Sequence, residues 1–92
     1  MRMTPQLKEN ERLKKEVCKA FCQRFGELRR EAPKRTLNQI AKELGISRQS
    51  MVYYAMGDRL PGIPILIQLS NLFGVSIDYL IGRSNSRFWI YL

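Results

Sequence analysis

Apolar residues recur at helical spacing in the first part of this chain, where they form one stripe. Its members are Leu7, Val17, Cys18, Phe21, Phe25 and Leu28. Such a stripe predicts one long helix with a buried side. Thr4 as N-cap and Pro5 at the first helical position mark its beginning, and Pro33 places its end near Ala32. Residues 10–16 are almost wholly polar, so the first turns are expected to be weakly anchored, as fraying turns or as an arm.

Two short helices are predicted next, with a glycine between them. Thr36 and Gln39 have the spacing of a capping box at the start of the first helix, and Gly45 ends it. Ser47 offers the N-cap of a second helix that continues to about Met56. A tight turn between two such helices projects the second one outward, where its first residues can reach the edges of bases.

The rest of the chain predicts two more helices and a different tail. A helix with apolar positions from Ile65 to Phe73 ends at Gly74, and a short one capped by Ser76 ends before Gly82. The resulting fold class is all-α, with five helices, an extended first helix and a short C-terminal apolar tail. We expect an N-terminal extension over residues 1–19, a helical domain over 20–83 and a tail over 84–92.

Charge narrows the choice of partner. The 92 residues include 16 Lys and Arg against 8 Asp and Glu, for a formal net charge of +8. This balance favours a polyanionic partner, either nucleic acid or an acidic membrane surface. No apolar run approaches the roughly 18–20 residues that span a bilayer, and the N-terminus lacks the apolar core of a signal peptide. We therefore expect a cytoplasmic protein that does not bind membranes.

The inventory of reactive side chains argues against catalysis and against a cofactor. Histidine is absent, and Cys18 and Cys22 are the only cysteines, so one chain cannot assemble a tetrahedral zinc site without carboxylates. The two thiols are expected to be small buried side chains, with a redox or intersubunit role left open. No serine or cysteine stands beside a plausible base, and no glycine-rich phosphate loop is present, so we expect no enzyme.

A longer stretch of residues resembles a known family. It reads Ile40-Ala41-Lys42-Glu43-Leu44-Gly45-Ile46-Ser47-Arg48-Gln49-Ser50-Met51, followed by Tyr54, Gly57, Arg59 and Pro61. This pattern resembles the Cro and phage-repressor (XRE-type) helix-turn-helix family, and the similarity extends over roughly residues 20–83. The resemblance implies a five-helix domain similar to the lambda repressor, with double-stranded DNA as its partner.

The resemblance also implies which side chains read bases. The corresponding positions are Arg48, Gln49 and Tyr53, with Ser47 and Ser50 beside them. Arginine can give guanine two hydrogen bonds and glutamine can pair with adenine in the same way. The alternatives are a solvated polar face for Arg48 and Gln49, and packing against neighbouring side chains for Tyr53.

Phosphate contacts are expected from the start of the second helix and from nearby cations. Thr36 caps a helix end whose free N–H groups favour anions, and Arg35 and Arg59 can add positive charge. Two positions depart from the family pattern. Leu37 stands where a phosphate-binding glutamine is common, so this contact is expected to be missing or supplied by Thr36. Ala55 replaces a frequent glutamate, which removes a polar contact of the family.

The tail predicts a contact of its own. It consists of Phe88, Trp89, Ile90, Tyr91 and Leu92. This run is too apolar to leave in water, so it either folds back on the domain or pairs with a second subunit. We favour the homodimer contact, because proteins that bind DNA as dimers need a self-complementary surface.

Two functions from different classes remain. The first is a sequence-specific transcriptional regulator that binds double-stranded DNA as a homodimer, with half-sites about 34 Å apart, and represses by occluding a promoter. The second is a protein-interaction module, such as an antitoxin or an adaptor, whose N-terminal extension or apolar tail holds a partner.

Overall fold

The computed structural model describes residues 4–32 and 35–88, which form five α-helices and no strand. In chain order these are α1 (Pro5–Glu31), α2 (Leu37–Leu44), α3 (Arg48–Met56), α4 (Ile63–Phe73) and α5 (Ile77–Leu80). The predicted all-α, five-helix architecture is confirmed.

Side-chain caps define where four of the helices begin. Thr4, Thr36, Ser47 and Ser76 each accept a hydrogen bond from the backbone N–H three residues further on. Each bond satisfies an N–H group that the helix itself cannot pair. The fourth helix begins instead after Gly62, without a side-chain cap. It starts ahead of the predicted apolar positions because a proline fits its first turn.

Aromatic side chains of α1 and α4 meet at the core. The rings of Phe21 and Phe25 stack with centroids 5.5 Å apart, and Phe73 meets Phe25 edge-on at 6.0 Å. Met51 and Tyr79 are also fully buried, so α3 and α5 are each anchored by a large side chain. The core therefore fixes the position of α3 relative to the second half of α1.

The first turns of α1 are helical but lie outside this core. The helix is continuous from Pro5, so the polar segment is part of α1 and does not form a separate arm. Leu7 belongs to the predicted stripe, yet it and Leu13 are each 44% exposed, and the buried residues of α1 begin only at Phe21. Arg12 pairs with Glu9 and Glu16 along the surface. None of the five helices in the described part of the chain is long and apolar enough to cross a membrane.

The segment after α5 folds back on the domain as far as Arg87. The backbone N–H of Ser76 donates to the Arg87 carbonyl at 2.6 Å, and the Ser76 hydroxyl donates to the Ser86 carbonyl at 3.1 Å. Arg87 also pairs with Glu31 of α1 at 2.8 Å, which lowers the pKa of the Glu31 carboxyl. The chain up to Arg87 is thus part of the domain surface.

The apolar tail is only partly within the structure. Phe88 is 71% exposed, and residues 89–92 lie outside the described residues. Its predicted role as a subunit contact therefore stays a prediction.

Candidate nucleic-acid interface

A left-handed glycine makes the turn between α2 and α3. Gly45 has φ 70° and ψ 30°, a conformation that side chains other than glycine adopt with strain. Its N–H donates to the carbonyls of the last turn of α2, and Ile46 N–H donates to the Ala41 carbonyl at 3.0 Å. The small Ala41 is buried. This geometry turns the chain so that α3 begins at Arg48, three residues after the glycine.

The inner side of α3 is fixed to α1 and to the core. Met51 has no exposed surface, and the Cys22 thiol donates to the Ala55 carbonyl at 3.0 Å. That carbonyl belongs to the last turn, where the helix supplies no partner. Gly57 passes so close to α1 that an added Cβ would lie 3.3 Å from the Cys18 carbonyl oxygen.

These contacts explain two features of the sequence. Cys18 and Cys22 are free, half-buried thiols, and as small side chains they let the end of α3 approach α1. Ala55 is half-buried against the core, so its departure from the family pattern is accommodated by packing on α1.

The first turn of α3 faces solvent. Ser47, Arg48 and Gln49 are exposed and Ser50 is half-buried. The Ser47 hydroxyl accepts from the Ser50 backbone N–H at 3.1 Å and donates to the Ser50 hydroxyl oxygen at 3.0 Å. Its proton and one of its lone pairs are therefore used within the helix cap. The Ser50 hydroxyl keeps its own proton for an outside acceptor.

Gln49, Tyr53 and Arg59 form a cluster on the same exposed side. Gln49 Nε2 donates to the Tyr53 hydroxyl oxygen at 3.1 Å, and the Arg59 guanidinium lies 4.4 Å from the centre of the Tyr53 ring. The bond to Tyr53 orients the Gln49 amide while its carbonyl oxygen and second N–H stay available. Adenine is recognised through that pair of groups in the major groove.

Sequence reasoning named these three residues but did not predict that they contact one another. The i, i+4 spacing of Gln49 and Tyr53 was a visible signal. Arg59 reaches Tyr53 only because the chain reverses at Gly57, whose φ is 79°. Tyr53 is half-buried. Its ring packs against Arg59, and its hydroxyl accepts the hydrogen bond from Gln49.

The start of α2 has the predicted cap and one unforeseen ion pair. Thr36 Oγ1 accepts from Gln39 N–H at 3.1 Å, and Gln39 Oε1 accepts from Thr36 N–H at 2.9 Å. Arg35 pairs with Glu43 at 2.6 Å, which holds its guanidinium along the side of α2. Leu37 is half-buried against the core. A hydrophobic contact therefore occupies the position where the family often has glutamine.

An exposed helix start, held by a glycine turn and anchored by its inner side, is the architecture of helix-turn-helix proteins. Comparison with known proteins agrees, since a family model described as helix-turn-helix matches residues 27–80. The chain belongs to the XRE-type helix-turn-helix family, to which Cro and the phage repressors also belong.

Two relatives illustrate the similarity in sequence. The HTH-type transcriptional regulator YobD of Bacillus subtilis is 37% identical over 65 residues, which cover 71% of this chain and 57% of YobD. The cryptic phage CTXphi transcriptional repressor RstR of Vibrio cholerae is 39% identical over 54 residues, covering 59% of this chain and 48% of RstR. This chain thus spans about half the length of the curated relatives it matches.

A solved structure is similar in fold. The crystal structure of a transcriptional regulator from Listeria innocua superimposes with a TM-score of 0.63 at 29% sequence identity. The match covers 78% of this chain and 61% of that protein.

Proposed function

We propose that this protein is a sequence-specific transcriptional regulator that reads the major groove of double-stranded DNA with the first turn of α3. One observation carries the proposal. Arg48 and Gln49 are exposed at the start of a helix whose opposite side is fixed in the core by Met51. A rigid support of this kind keeps base-reading side chains in position before DNA arrives.

The contacts divide into those that read bases and those that hold the backbone. Arg48 suits guanine, and Gln49, oriented by Tyr53, suits adenine. The Ser50 hydroxyl can donate a hydrogen bond to a base. The Ser47 hydroxyl is engaged in the cap, so Ser47 acts mainly by fixing the geometry of the helix start. Arg59 supports the base-reading cluster through Tyr53 and adds positive charge beside it.

Phosphates would bind at the start of α2. Its first N–H groups have no acceptor within the helix, and the Thr36 hydroxyl proton is not used by the cap. Arg35 adds positive charge there, although Glu43 offsets part of it. These contacts fix the orientation of α3 in the groove without selecting a sequence.

We infer that this protein acts in the cytoplasm and represses transcription by occluding a promoter. The relative RstR is named as a transcriptional repressor, which supports repression over activation. A homodimer on a pseudo-palindromic site, with half-sites about 34 Å apart, would place two α3 helices in successive major grooves. The apolar tail from Phe88 onward is one candidate for the subunit contact.

Selection of bound duplexes from a random pool tests the proposal. The wild-type protein should enrich one motif, and its affinity should fall steeply as salt rises, because bound cations release counterions from DNA. Arg48→Ala should relax the motif at one position, whereas the surface variant Gln6→Ala should leave it unchanged. Weak binding that is flat in salt and selects no motif would refute a DNA-reading function.

Such an outcome would favour a protein-interaction module as the second candidate. The exposed Leu7 and Leu13 on the first turns of α1 are the observation that supports it. An antitoxin or adaptor would use this surface to hold a protein, and substitution of both leucines would then weaken complex formation without changing the fold.

A further inference from the structure

Two thiols open into one cavity between α1 and the end of α3. Cys18 and Cys22 stand one turn apart on the same side of α1, and both are half-buried. Both line a cavity of about 560 Å³, together with Met56 and Gly57. Pockets that hold small molecules range over roughly 300–1,000 Å³. A small reagent can therefore reach the two thiols while the chain stays folded.

The lining of this cavity carries more positive than negative charge. Lys14, Lys15 and Lys19 line it on the α1 side, and the carboxylates there are those of Glu11 and Asp58. The whole sequence has a formal net charge of +8, so the field of the protein has the same sign. An anionic reagent is therefore attracted to the cavity, whereas a cationic reagent is repelled.

The end of α3 packs closely against Cys22. The Cys22 Sγ donates a hydrogen bond to the Ala55 carbonyl at 3.0 Å. A Cβ added at Gly57 would lie 3.3 Å from the Cys22 Cβ, which is closer than most side chains approach. A group attached to the Cys22 sulfur replaces the proton of this bond, so the Ala55 carbonyl loses its donor. Little space remains between the two helices for the added atoms.

The spacing of the two thiols decides which product can form. The Cβ atoms of residues four apart in a helix are separated by about 5–6 Å. A disulfide spans only roughly 3.5–4.5 Å between its Cβ atoms. Because α1 is helical throughout this region, Cys18 and Cys22 are too far apart to join each other. Each can instead join a sulfur that comes from outside the chain.

We propose that Cys18 and Cys22 form a thiol-modification site for small anionic disulfides, and that a mixed disulfide at Cys22 releases the end of α3 from α1. This release reaches the base-reading residues, because Arg59 follows Gly57 by two residues and stacks on Tyr53. The effect on DNA binding rests on the proposed function, whereas the modification itself does not.

The covalent step is a thiol–disulfide exchange. Cys22 loses its proton to water, and its sulfur attacks one sulfur of the reagent. The S–S bond of the reagent breaks as the new S–S bond to Cys22 forms, and the second half of the reagent leaves as a thiolate. The Cys22 sulfur is oxidised and the leaving sulfur is reduced, so the reagent is the only oxidant that the step requires. An excess of a small thiol reverses it.

Glutathione disulfide, which is anionic, is the probe for the site. Mass spectrometry of peptides from the treated full-length protein should find the mixed disulfide on Cys18 and on Cys22. The rate should stay constant in low urea, because the folded chain admits the reagent. It should be about tenfold lower with cystamine, a cationic disulfide. A rate that rises steeply with urea, or equal rates for the two reagents, would overturn the site.

A pair of lysine variants tests the reagent class. Lys15→Gln combined with Lys19→Gln should narrow the preference for the anionic disulfide, because both side chains line the cavity. Lys8→Gln is the matched control, since Lys8 is exposed on α1 and does not line the cavity. An equal effect of both changes would contradict attraction by the cavity lining.

Hydrogen exchange measures the release of α3 without DNA. Treatment of the wild-type protein should speed exchange of the backbone amides of residues 53–58. Cys18→Ser should keep this response, whereas Cys22→Ser should lose it, because a hydroxyl forms no disulfide. Unchanged exchange in a protein that carries the mixed disulfide on Cys22 would overturn the proposed coupling to α3.

Binding to the selected duplex measures the consequence for DNA. Each protein is compared before and after treatment, so differences between untreated variants do not enter. Modification of the wild-type protein should lower affinity about tenfold, the size expected when one partly buried acceptor loses its donor. Dithiothreitol should restore it. A loss that persists in Cys22→Ser would contradict the inference. If the untreated wild-type protein binds no duplex, the proposed function fails, and hydrogen exchange still decides the inference.

Discussion

The two helices α3 and α4 are alike on the inside and opposite on the outside. Met51 of α3 and Leu69 of α4 are both fully buried, so each helix is held by the same core. Outward, α3 presents Arg48 and Gln49, whereas α4 presents Ile63 and other uncharged side chains. The buried side of a helix fixes its position in the domain, and the exposed side indicates which kind of partner it can bind. Hydrogen-bonding groups suit base edges, and apolar groups suit another protein surface.

The two helices also differ in how their N-termini are capped. The start of α3 is capped by Ser47, while α4 begins after Gly62 with no side-chain cap. Base reading requires that the first turn of α3 be held in one geometry.

The largest expected effect tests whether the inner sides are equivalent. Met51→Ala and Leu69→Ala should each lower the free energy of unfolding by about 2–5 kcal/mol, because each leaves a cavity in the core. Urea denaturation measures the loss. Met56→Ala is the matched control in α3, since its side chain is 65% exposed, and it should change stability by less than about 0.5 kcal/mol. A stable Met51→Ala protein would mean that α3 is not anchored as described.

The next effect separates the outer sides. Gln49→Ala should remove about 1–3 kcal/mol of discrimination at one base pair. Stability should stay unchanged, because Gln49 is exposed. Binding to duplexes that differ at a single position measures the discrimination. Tyr53→Phe keeps the ring beneath Arg59 but removes the acceptor for Gln49, so it should show a smaller loss at the same base pair. Equal losses at every position would contradict base reading by Gln49.

A smaller effect distinguishes a cap from a base contact at Ser47. Ser47→Ala should reduce stability by about 1 kcal/mol, because the N-cap bond to Ser50 is lost. Ser47→Asn can cap in the same way and should restore stability. If both variants alter the selected motif alike while stability holds, Ser47 contacts a base directly.

The smallest effect concerns Arg59. Arg59→Ala should reduce the slope of log affinity against log salt by about 1 if its guanidinium meets a phosphate. Arg59→Lys keeps the charge but weakens stacking on Tyr53, so it should retain the slope and lose some discrimination at the base read by Gln49. Fluorescence anisotropy at several salt concentrations measures both quantities. An unchanged slope in Arg59→Ala would limit this residue to supporting Tyr53.

Local sequence signals were enough for all five helices and for four of their starts, whereas α4 begins at Ile63, ahead of the predicted apolar positions. Thr4, Thr36, Ser47 and Ser76 are caps whose partners lie three residues away, so the interaction is contained in a short stretch of chain. The buried residues Phe21, Phe25 and Leu28 of α1 followed from its 3.6-residue period, whereas no apolar stripe was predicted on α3. The exposed start of α3 was predicted from the glycine turn and the Ser47 cap, and the side chains that would read bases were implied by the resemblance to the family.

Long-range contacts decided the rest. The stripe on α1 reaches Leu7, but periodicity cannot tell that this side chain stays 44% exposed. The stacking of Arg59 on Tyr53, the pairing of Arg35 with Glu43 and the bond from Cys22 to Ala55 each join separate segments. These contacts depend on how the helices pack against one another, which the pattern of residues within one helix does not predict.

The sequence by itself determined an all-helical chain with a capped, polar helix start after a glycine turn, because these features arise from interactions within a few residues. The tertiary structure alone decided which exposed side chains contact one another and which apolar side chains the core leaves uncovered. Ile63 and Ile67 show the reason most clearly. The sequence shows that a hydrophobic side chain favours burial. Only the packed fold shows whether other residues of the same chain bury it.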